Sequence, residues 1–166
     1  MSGPVIFNIR PGTYSGKIFL NEIQGASFTN TITFQSESGD STSVIITDSS
    51  SSTSSSDFTI FVNGADFIRF NQLTIERSGT LSYATVVYMG SNSRAFTVTN
   101  CIVRSNPYTF TSLNSSLVRQ PVAQAQDSLT TFRNNLFSGG SYGINLTGIS
   151  ASVRVKNVFI ENNQFA

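Results

Sequence analysis

The stretch Phe67-Ile68-Arg69-Phe70-Asn71-Gln72-Leu73-Thr74-Ile75 decides the fold, because similar stretches return further along the chain. Aligned without gaps, the copies share an apolar column, an amide column two residues later and a second apolar column three residues after that. The copies are Phe96 to Val103, Thr130 to Phe137 and Val153 to Ile160, with Thr31 to Phe34 as a weaker earlier one. The columns are Phe70, Val98, Phe132 and Val155, then Gln72, Asn100, Asn134 and Asn157, then Ile75, Val103, Phe137 and Ile160. Repetition of this kind indicates a solenoid.

A second apolar strand precedes each of these stretches and ends at glycine or proline, as a sharp turn requires. Its copies are Ile60 to Gly64, Val86 to Gly90, Leu117 to Pro121 and Ile144 to Gly148, with Lys17 to Leu20 as the earliest. The last four copies start 26, 31 and 27 residues apart, and Lys17 lies 43 residues before Ile60. Each period holds three short strands with alternating polarity. The sequence therefore predicts an all-β, right-handed parallel β-helix with three strands per coil and about five coils.

The columns have a physical explanation in such a coil. The two apolar columns stack on themselves and fill the lumen, whereas asparagine tolerates the left-handed bend at a corner. The alternate row of the third strand then faces outward, and an outward apolar row is unusual. It predicts either a partner-binding face or a face covered by a loop. Its members are Thr74, Ile102, Leu136 and Phe159.

Composition excludes several function classes. Charged residues make up only 11% of the chain and histidine is absent, so Ser–His and Cys–His nucleophilic machinery is excluded within this chain. The net charge of +1 provides no field to attract nucleic acid. No apolar run reaches the length of a membrane span. The single Cys101 cannot form an internal disulfide and is interpreted as a small buried hydrophobe.

Two groups of charged residues are weak candidates for a site. Glu76 and Arg104 share a column on neighbouring coils, which predicts a surface ion pair or, alternatively, a pair that binds a sugar. Asp40, Asp48 and Asp57 lie in or beside loops, and calcium prefers oxygen-rich loops. No spaced calcium motif accompanies them, so we expect no cofactor and keep calcium as the alternative.

Arg119 is in conflict with the predicted alignment. It shares a column with Val62, Tyr88 and Leu146. If that column faces the lumen, Arg119 is a buried charge that needs a partner. Otherwise the register slips locally at the Tyr108–Ser116 insertion.

We predict a single domain over residues 1–166, with an exposed serine-rich loop at 48–57 and a loop insertion at 105–116. No capping helix precedes Val5 and the chain stops directly after a repeat strand, so the coil ends are expected to be uncapped. Natural solenoids cap such ends. This predicts either a piece of a longer β-helix or a chain that stacks end to end into filaments.

The segment Asn8-Ile9-Arg10-Pro11-Gly12-Thr13-Tyr14, followed by Lys17 to Leu20, resembles the opening of the pectin-esterase and pectate-lyase-like superfamily. Ile32 to Asp40 and Asn63 to Phe70 resemble β-helix regions of Bacteroidetes surface proteins exported by type IX secretion. The resemblance implies an extracellular or cell-surface location. Met1 to Pro4 has no basic region or apolar segment, so any signal peptide is expected to lie outside this sequence.

Two functions follow as hypotheses. The first is a non-catalytic extracellular scaffold, adhesive or self-assembling through its open ends or against neighbouring coils of a parent protein. The second, implied by the resemblance, is a polysaccharide-binding or polysaccharide-active domain. Enzymes of that superfamily use clustered acidic residues. Here no two acids recur in one column of adjacent coils, so catalysis is the less favoured hypothesis.

Overall fold

The computed structural model describes residues 2–53, 58–90, 92–107, 111–121, 128–148, 150 and 155–166. In this part of the chain seventeen strands form three parallel sheets, in which each strand pairs with the equivalent strand one coil later. Sheet A contains β1 (Val5–Ile9), β4 (Ile32–Ser36), β7 (Ile68–Asn71), β10 (Thr97–Thr99), β13 (Thr131–Arg133) and β16 (Phe159–Glu161). Sheet B contains β2 (Gly12–Ser15), β5 (Val44–Ser49), β8 (Thr74–Ser78), β11 (Ile102–Pro107), β14 (Leu136–Gly140) and β17 (Gln164–Phe165). Sheet C contains β3 (Ile18–Asn21), β6 (Ile60–Asn63), β9 (Val87–Met89), β12 (Ser116–Gln120) and β15 (Tyr142–Leu146).

The chain visits the sheets in the order A, B, C and then returns to A. This makes five complete coils and two strands of a sixth, which confirms the prediction of a parallel β-helix with three strands per coil. A short 3₁₀ turn, Leu113–Ser115, is the only helical element in the described residues, and none of those residues forms a helix long and apolar enough to span a membrane.

Apolar columns fill the lumen as predicted. In sheet A, Phe7, Phe34 and Phe70 are stacked with ring centroids 5.1 and 5.3 Å apart. In sheet B, Ile75, Val103 and Phe137 lie in register and are buried. Because each coil adds one side chain to each column, the core is a continuous rod that runs through the coil.

The fourth copy of the repeat is aligned differently from the prediction. Ile160, not Val155, pairs with Phe132 in sheet A, and Phe165, not Ile160, pairs with Phe137 in sheet B. The predicted alignment was therefore wrong by five residues in this copy. The bend column is Gln72, Asn100, Asn134 and Asn162, all with positive φ.

Arg119 lies outside the lumen. Its register partners are Tyr88 and Asn145, and Tyr88 pairs with Phe61. The predicted pairing of Arg119 with Tyr88 was correct, but Val62 and Leu146 were each one residue away from the observed members of the column, Phe61 and Asn145. A one-residue slip exchanges the two faces of a strand. The guanidinium of Arg119 donates a hydrogen bond to Asn114 and lies 5.8 Å from the ring centroid of Tyr88.

The two segments predicted as loops are strands in part. Asp48 and Ser49 end β5 and Ser50 is buried, so the serine-rich segment departs from the coil only after them; residues 54–57 lie outside the described residues. In the second segment β11 continues to Pro107 and β12 begins at Ser116, while residues 108–110 lie outside the described residues.

Candidate functional site

Glu76 and Arg104 form the predicted ion pair on the outer face of sheet B. Arg104 Nε lies 2.5 Å from Glu76 Oε2, and both side chains are partly exposed. Thr47 also donates a hydrogen bond to Glu76. Ser78, Ser105 and Asn106 complete a small polar cleft of about 250 Å³. The pair is a surface interaction of modest strength.

The row Ile102, Leu136 and Phe159 is not one surface. Ile102 pairs with Thr74 and Leu136 in sheet B, as predicted. Phe159 pairs with Thr131 in sheet A instead, because the fourth copy is shifted, so its place in the row was wrong. Thr74 is buried and donates a hydrogen bond to the Ser41 carbonyl, which shows that the 37–43 loop covers this end of the row. Ile102 and Leu136 are half-buried.

Of the three candidate calcium ligands, the two that the structure describes, Asp40 and Asp48, have separate partners. Asp48 contacts Arg77 at 2.8 Å and Lys17 at 3.7 Å. Asp40 accepts hydrogen bonds from the backbone and side chain of Thr42, which lower the pKa of its carboxyl. Asp57 lies outside the described residues. No group of three histidine, cysteine or acidic side chains suited to a metal ion occurs in the part of the chain that the structure describes.

A polar cleft beyond sheet C brings two carboxylates to one place. Glu22 and Asp66 line it together with Asn21, Asn63 and Asn92, and its volume is about 530 Å³. Asp66 accepts a hydrogen bond from the Arg94 backbone N–H at 2.7 Å, and Asn63 donates one to Asn21. The sequence columns did not predict this cleft, because its two carboxylates, Glu22 and Asp66, follow the strands β3 and β6 rather than lie within them.

An aromatic cluster covers part of the outer face of sheet C. Phe19, Phe61 and Tyr88 are register neighbours on successive coils, and Phe58 packs against all three. Phe19 is 58% exposed. The sequence alignment placed Phe61 and Tyr88 in different columns and therefore did not predict this cluster. The observed register between β6 and β9 brings the two rings together.

The first coil leaves the lumen open. Phe7, on the inward face of β1, is 49% exposed, and it lines a cleft of about 400 Å³ with Ile9, Tyr14, Ile18 and Ile46. Phe7, Tyr14 and Ile18 belong to columns whose members in the third coil, Phe70, Ile75 and Val87, are completely buried. β1, β2 and β3 are the edge strands of their sheets, and edge strands offer unpaired backbone groups to another chain.

The last coil is open in the same way. Ile160 and Phe165 point into the lumen columns and are 49% and 57% exposed. The ring of Phe165 stacks on Phe137 at 5.1 Å on one side. β15, β16 and β17 are the edge strands at this end. The two ends are therefore the two places in the described structure where the apolar core itself reaches the surface.

Comparisons of the chain with protein-family models, with curated proteins and with solved structures found no match.

Proposed function

We propose that this chain is a non-catalytic scaffold that assembles end to end through its two open coil ends. The observation that supports it is the exposure of lumen side chains at both ends. Phe7 and Tyr14 at the first coil and Ile160 and Phe165 at the last are large apolar side chains in otherwise buried columns. Burial of apolar area at about 25 cal/mol per Å² favours covering them.

The first coil and the last coil present different surfaces. The proposed contact joins the last coil of one copy to the first coil of the next copy and is therefore head-to-tail. A head-to-tail contact that does not close into a ring generates an open filament. Parallel strands continue in one direction through all the coils, and a second copy that adds its first coil to the last coil keeps this direction. The resemblance to exported surface proteins supports an extracellular location for the assembled chain. There the assembly contributes length and stiffness to an extracellular structure.

Sedimentation velocity of the 166-residue chain over a hundredfold range of concentration tests the proposal. We expect species larger than one copy, whose population rises with concentration. The variant Phe165→Lys places a charge in the last lumen column and should remain a single copy. Phe19→Lys, an equally exposed ring outside the lumen, is the matched control and should assemble like the wild type. A wild-type chain that stays a single copy throughout would overturn the proposal.

A second candidate function is polysaccharide binding or cleavage, favoured by the cleft that Glu22 and Asp66 share. Two carboxylates that flank one bond are the machinery of glycoside hydrolysis. A polysaccharide array, probed with and without calcium, tests this candidate. Selective binding or turnover that is lost in Glu22→Gln and Asp66→Asn but kept in Glu161→Gln would establish it and displace the scaffold function.

A further inference from the structure

The small polar cleft on the outer face of sheet B lies between the third and fourth coils, where β8 and β11 pair. Further coils flank it on both sides, so its walls do not depend on either end of the coil. Its volume is about 250 Å³, and all of its lining side chains are polar. They are Glu76, Arg77 and Ser78 of β8 and Arg104, Ser105 and Asn106 of β11. Such a lining suits a polar ligand.

A bulge in β11 shapes one wall of this cleft. The register of β11 against β14 shifts between Arg104 and Pro107, so that β11 has one residue more than its partner in this interval. The residues inside the bulge are Ser105 and Asn106, and both line the cleft. On the other side, β11 and β8 stay in regular register through Ser105. Bulges re-aim side chains and are over-represented next to functional sites, so the bulge is a second feature that marks this place.

The cleft presents donors and acceptors that the described part of the chain leaves unused. Arg104 donates through Nε to Glu76, whereas its two terminal nitrogens have no hydrogen-bond partner among the described residues. Asn106 donates through Nδ2 to the Gly79 carbonyl, and its Oδ1 accepts no hydrogen bond from those residues. Each oxygen of Glu76 accepts one hydrogen bond, from Thr47 or from Arg104, and a carboxylate oxygen can accept about two. A ligand in the cleft can therefore both donate and accept.

The charges around the cleft are balanced. Arg104 contacts Glu76, and the completely buried Arg77 contacts Asp48 at 2.8 Å. Lys17 lies 3.7 Å from Asp48 as well. An anionic ligand would compete with Glu76 for Arg104, and a metal ion would meet only one lining carboxylate, Glu76. The balance favours an uncharged ligand that is rich in hydroxyl groups.

We propose that this cleft binds one ring of a neutral sugar. Each sugar hydroxyl is a donor and an acceptor, so two neighbouring hydroxyls can accept from the planar fork of Arg104 and donate to Glu76 or to Asn106 Oδ1. The volume is below the roughly 300–1,000 Å³ of clefts that hold drug-sized molecules, which suits a single ring. None of the described lining residues is aromatic, so we expect weak binding, with a Kd of about 1 mM or higher.

This inference goes beyond the proposed scaffold function, because binding here does not require end-to-end assembly. It also concerns a different place from the cleft of Glu22 and Asp66, which lies beyond sheet C. The sheet B cleft holds a sugar without a pair of lining carboxylates and is therefore a binding site without cleavage.

An NMR titration of the isotopically labelled chain with glucose, galactose or mannose, up to about 100 mM, tests the proposal. We expect saturable shifts of the backbone amides of Ser78, Ser105 and Asn106 with at least one of the three sugars. Arg104→Lys keeps the charge but loses the planar fork, and it should weaken binding by about tenfold or more. The matched control is Arg133→Lys, the same change in an exposed pair on sheet A, which should bind like the wild type.

Urea unfolding separates lost binding from lost folding. The side chain of Arg104 is 43% exposed, so Arg104→Lys should keep the midpoint of the wild type. No saturable shift with any of the three sugars, or equal binding by Arg104→Lys and the wild type, would overturn the proposal. Shifts with inorganic phosphate but with no sugar would identify an anion site and overturn it as well.

The position of the shifts distinguishes this site from the second candidate function. Sugar-induced shifts confined to Asn63, Gly64 and Asp66 would overturn the sheet B site and favour the other cleft. None of these outcomes affects end-to-end assembly, which sedimentation tests separately.

Discussion

Non-glycine residues in the left-handed region mark both ends of the last four sheet A strands, β7, β10, β13 and β16. Gln72, Asn100, Asn134 and Asn162 follow the strands, and a second set lies five residues before each of them, at Phe67, Ala95, Leu129 and Asn157. Left-handed backbone costs roughly 1–2 kcal/mol for most residues. Amide contacts offset this cost in the first set: Asn100 donates to Asn71, and Asn134 donates to Asn100 at 3.3 Å. The residues that bend the chain also connect one coil to the next.

Gly139 lies at a corner that has no room for a side chain. Its φ is +77°, and an added Cβ would lie 2.0 Å from the Ser105 carbonyl oxygen. Gly139→Ala should lower the free energy of unfolding by at least about 2 kcal/mol, because both strain and a backbone clash oppose it. Urea unfolding measures this. Gly3→Ala, where no atom lies within 4 Å, is the control, and equal midpoints for the two variants would contradict the packing of this corner.

Cys101 should be chemically inert in the folded chain. Burial raises the pKa of its thiol from 9.0 to about 12, because the thiolate is poorly solvated in the core. Iodoacetamide at pH 8 should label Cys101 only in denaturant. The stability that the neutral thiol contributes is present below pH 9 and is lost as the pH rises toward 12. Rapid labelling of the native chain at pH 8 would show that the residue is accessible.

At the scale of strands, the repeat period and the lumen columns were predictable because stacking in a parallel coil repeats the same residue type at each level. Three of the four aligned copies have the predicted register in sheets A and B. The fourth copy was misaligned because its sequence fits the pattern twice. Val155, Asn157 and Ile160 have the same spacing as Ile160, Asn162 and Phe165. Both alignments fit the columns, and only the pairing of strands between coils distinguishes them.

The carboxylate cleft and the aromatic cluster were not predictable from the repeat columns. The cleft depends on turns after β3 and β6 that bring Glu22 and Asp66 together across 44 positions of sequence. The aromatic cluster depends on a register that is one residue away from the best alignment of the sequence. In sheets a shift of one residue turns a lumen column into a surface column.

Strands β5 and β8 share a buried ion pair at their ends. Arg77 is completely buried and contacts Asp48 at 2.8 Å; it also donates to the Phe58 carbonyl. Asp48→Asn removes a carboxylate that contacts the buried guanidinium and should destabilise the chain by about 3 kcal/mol. Thermal and urea unfolding report this change.

Two further variants make this prediction specific. Glu161→Gln removes the partner of Arg133 in an exposed pair and should cost less than about 1 kcal/mol. The double variant Asp48→Asn with Arg77→Met should recover most of the lost stability, because it no longer buries a charge. If Asp48→Asn were as mild as Glu161→Gln, the buried pair would contribute little to stability.

For the whole molecule, the lumen side chains are buried in the middle coils and exposed in the first and last coils; under the proposed function, this predicts growth along one axis. Charged side chains on the outer face of sheet A, such as Arg69 and Arg133, are exposed and oppose lateral association of sheets. The tips present Phe7 at one end and Phe165 at the other. Association should therefore lengthen the particle without thickening it.

Small-angle X-ray scattering over a concentration series measures length and cross-section separately and tests end-to-end assembly most directly. The account predicts a cross-sectional radius that stays constant while the length increases in steps of about 27 Å, one copy at a time. A particle that keeps the length of one copy at every concentration, or one that thickens as it grows, would contradict it.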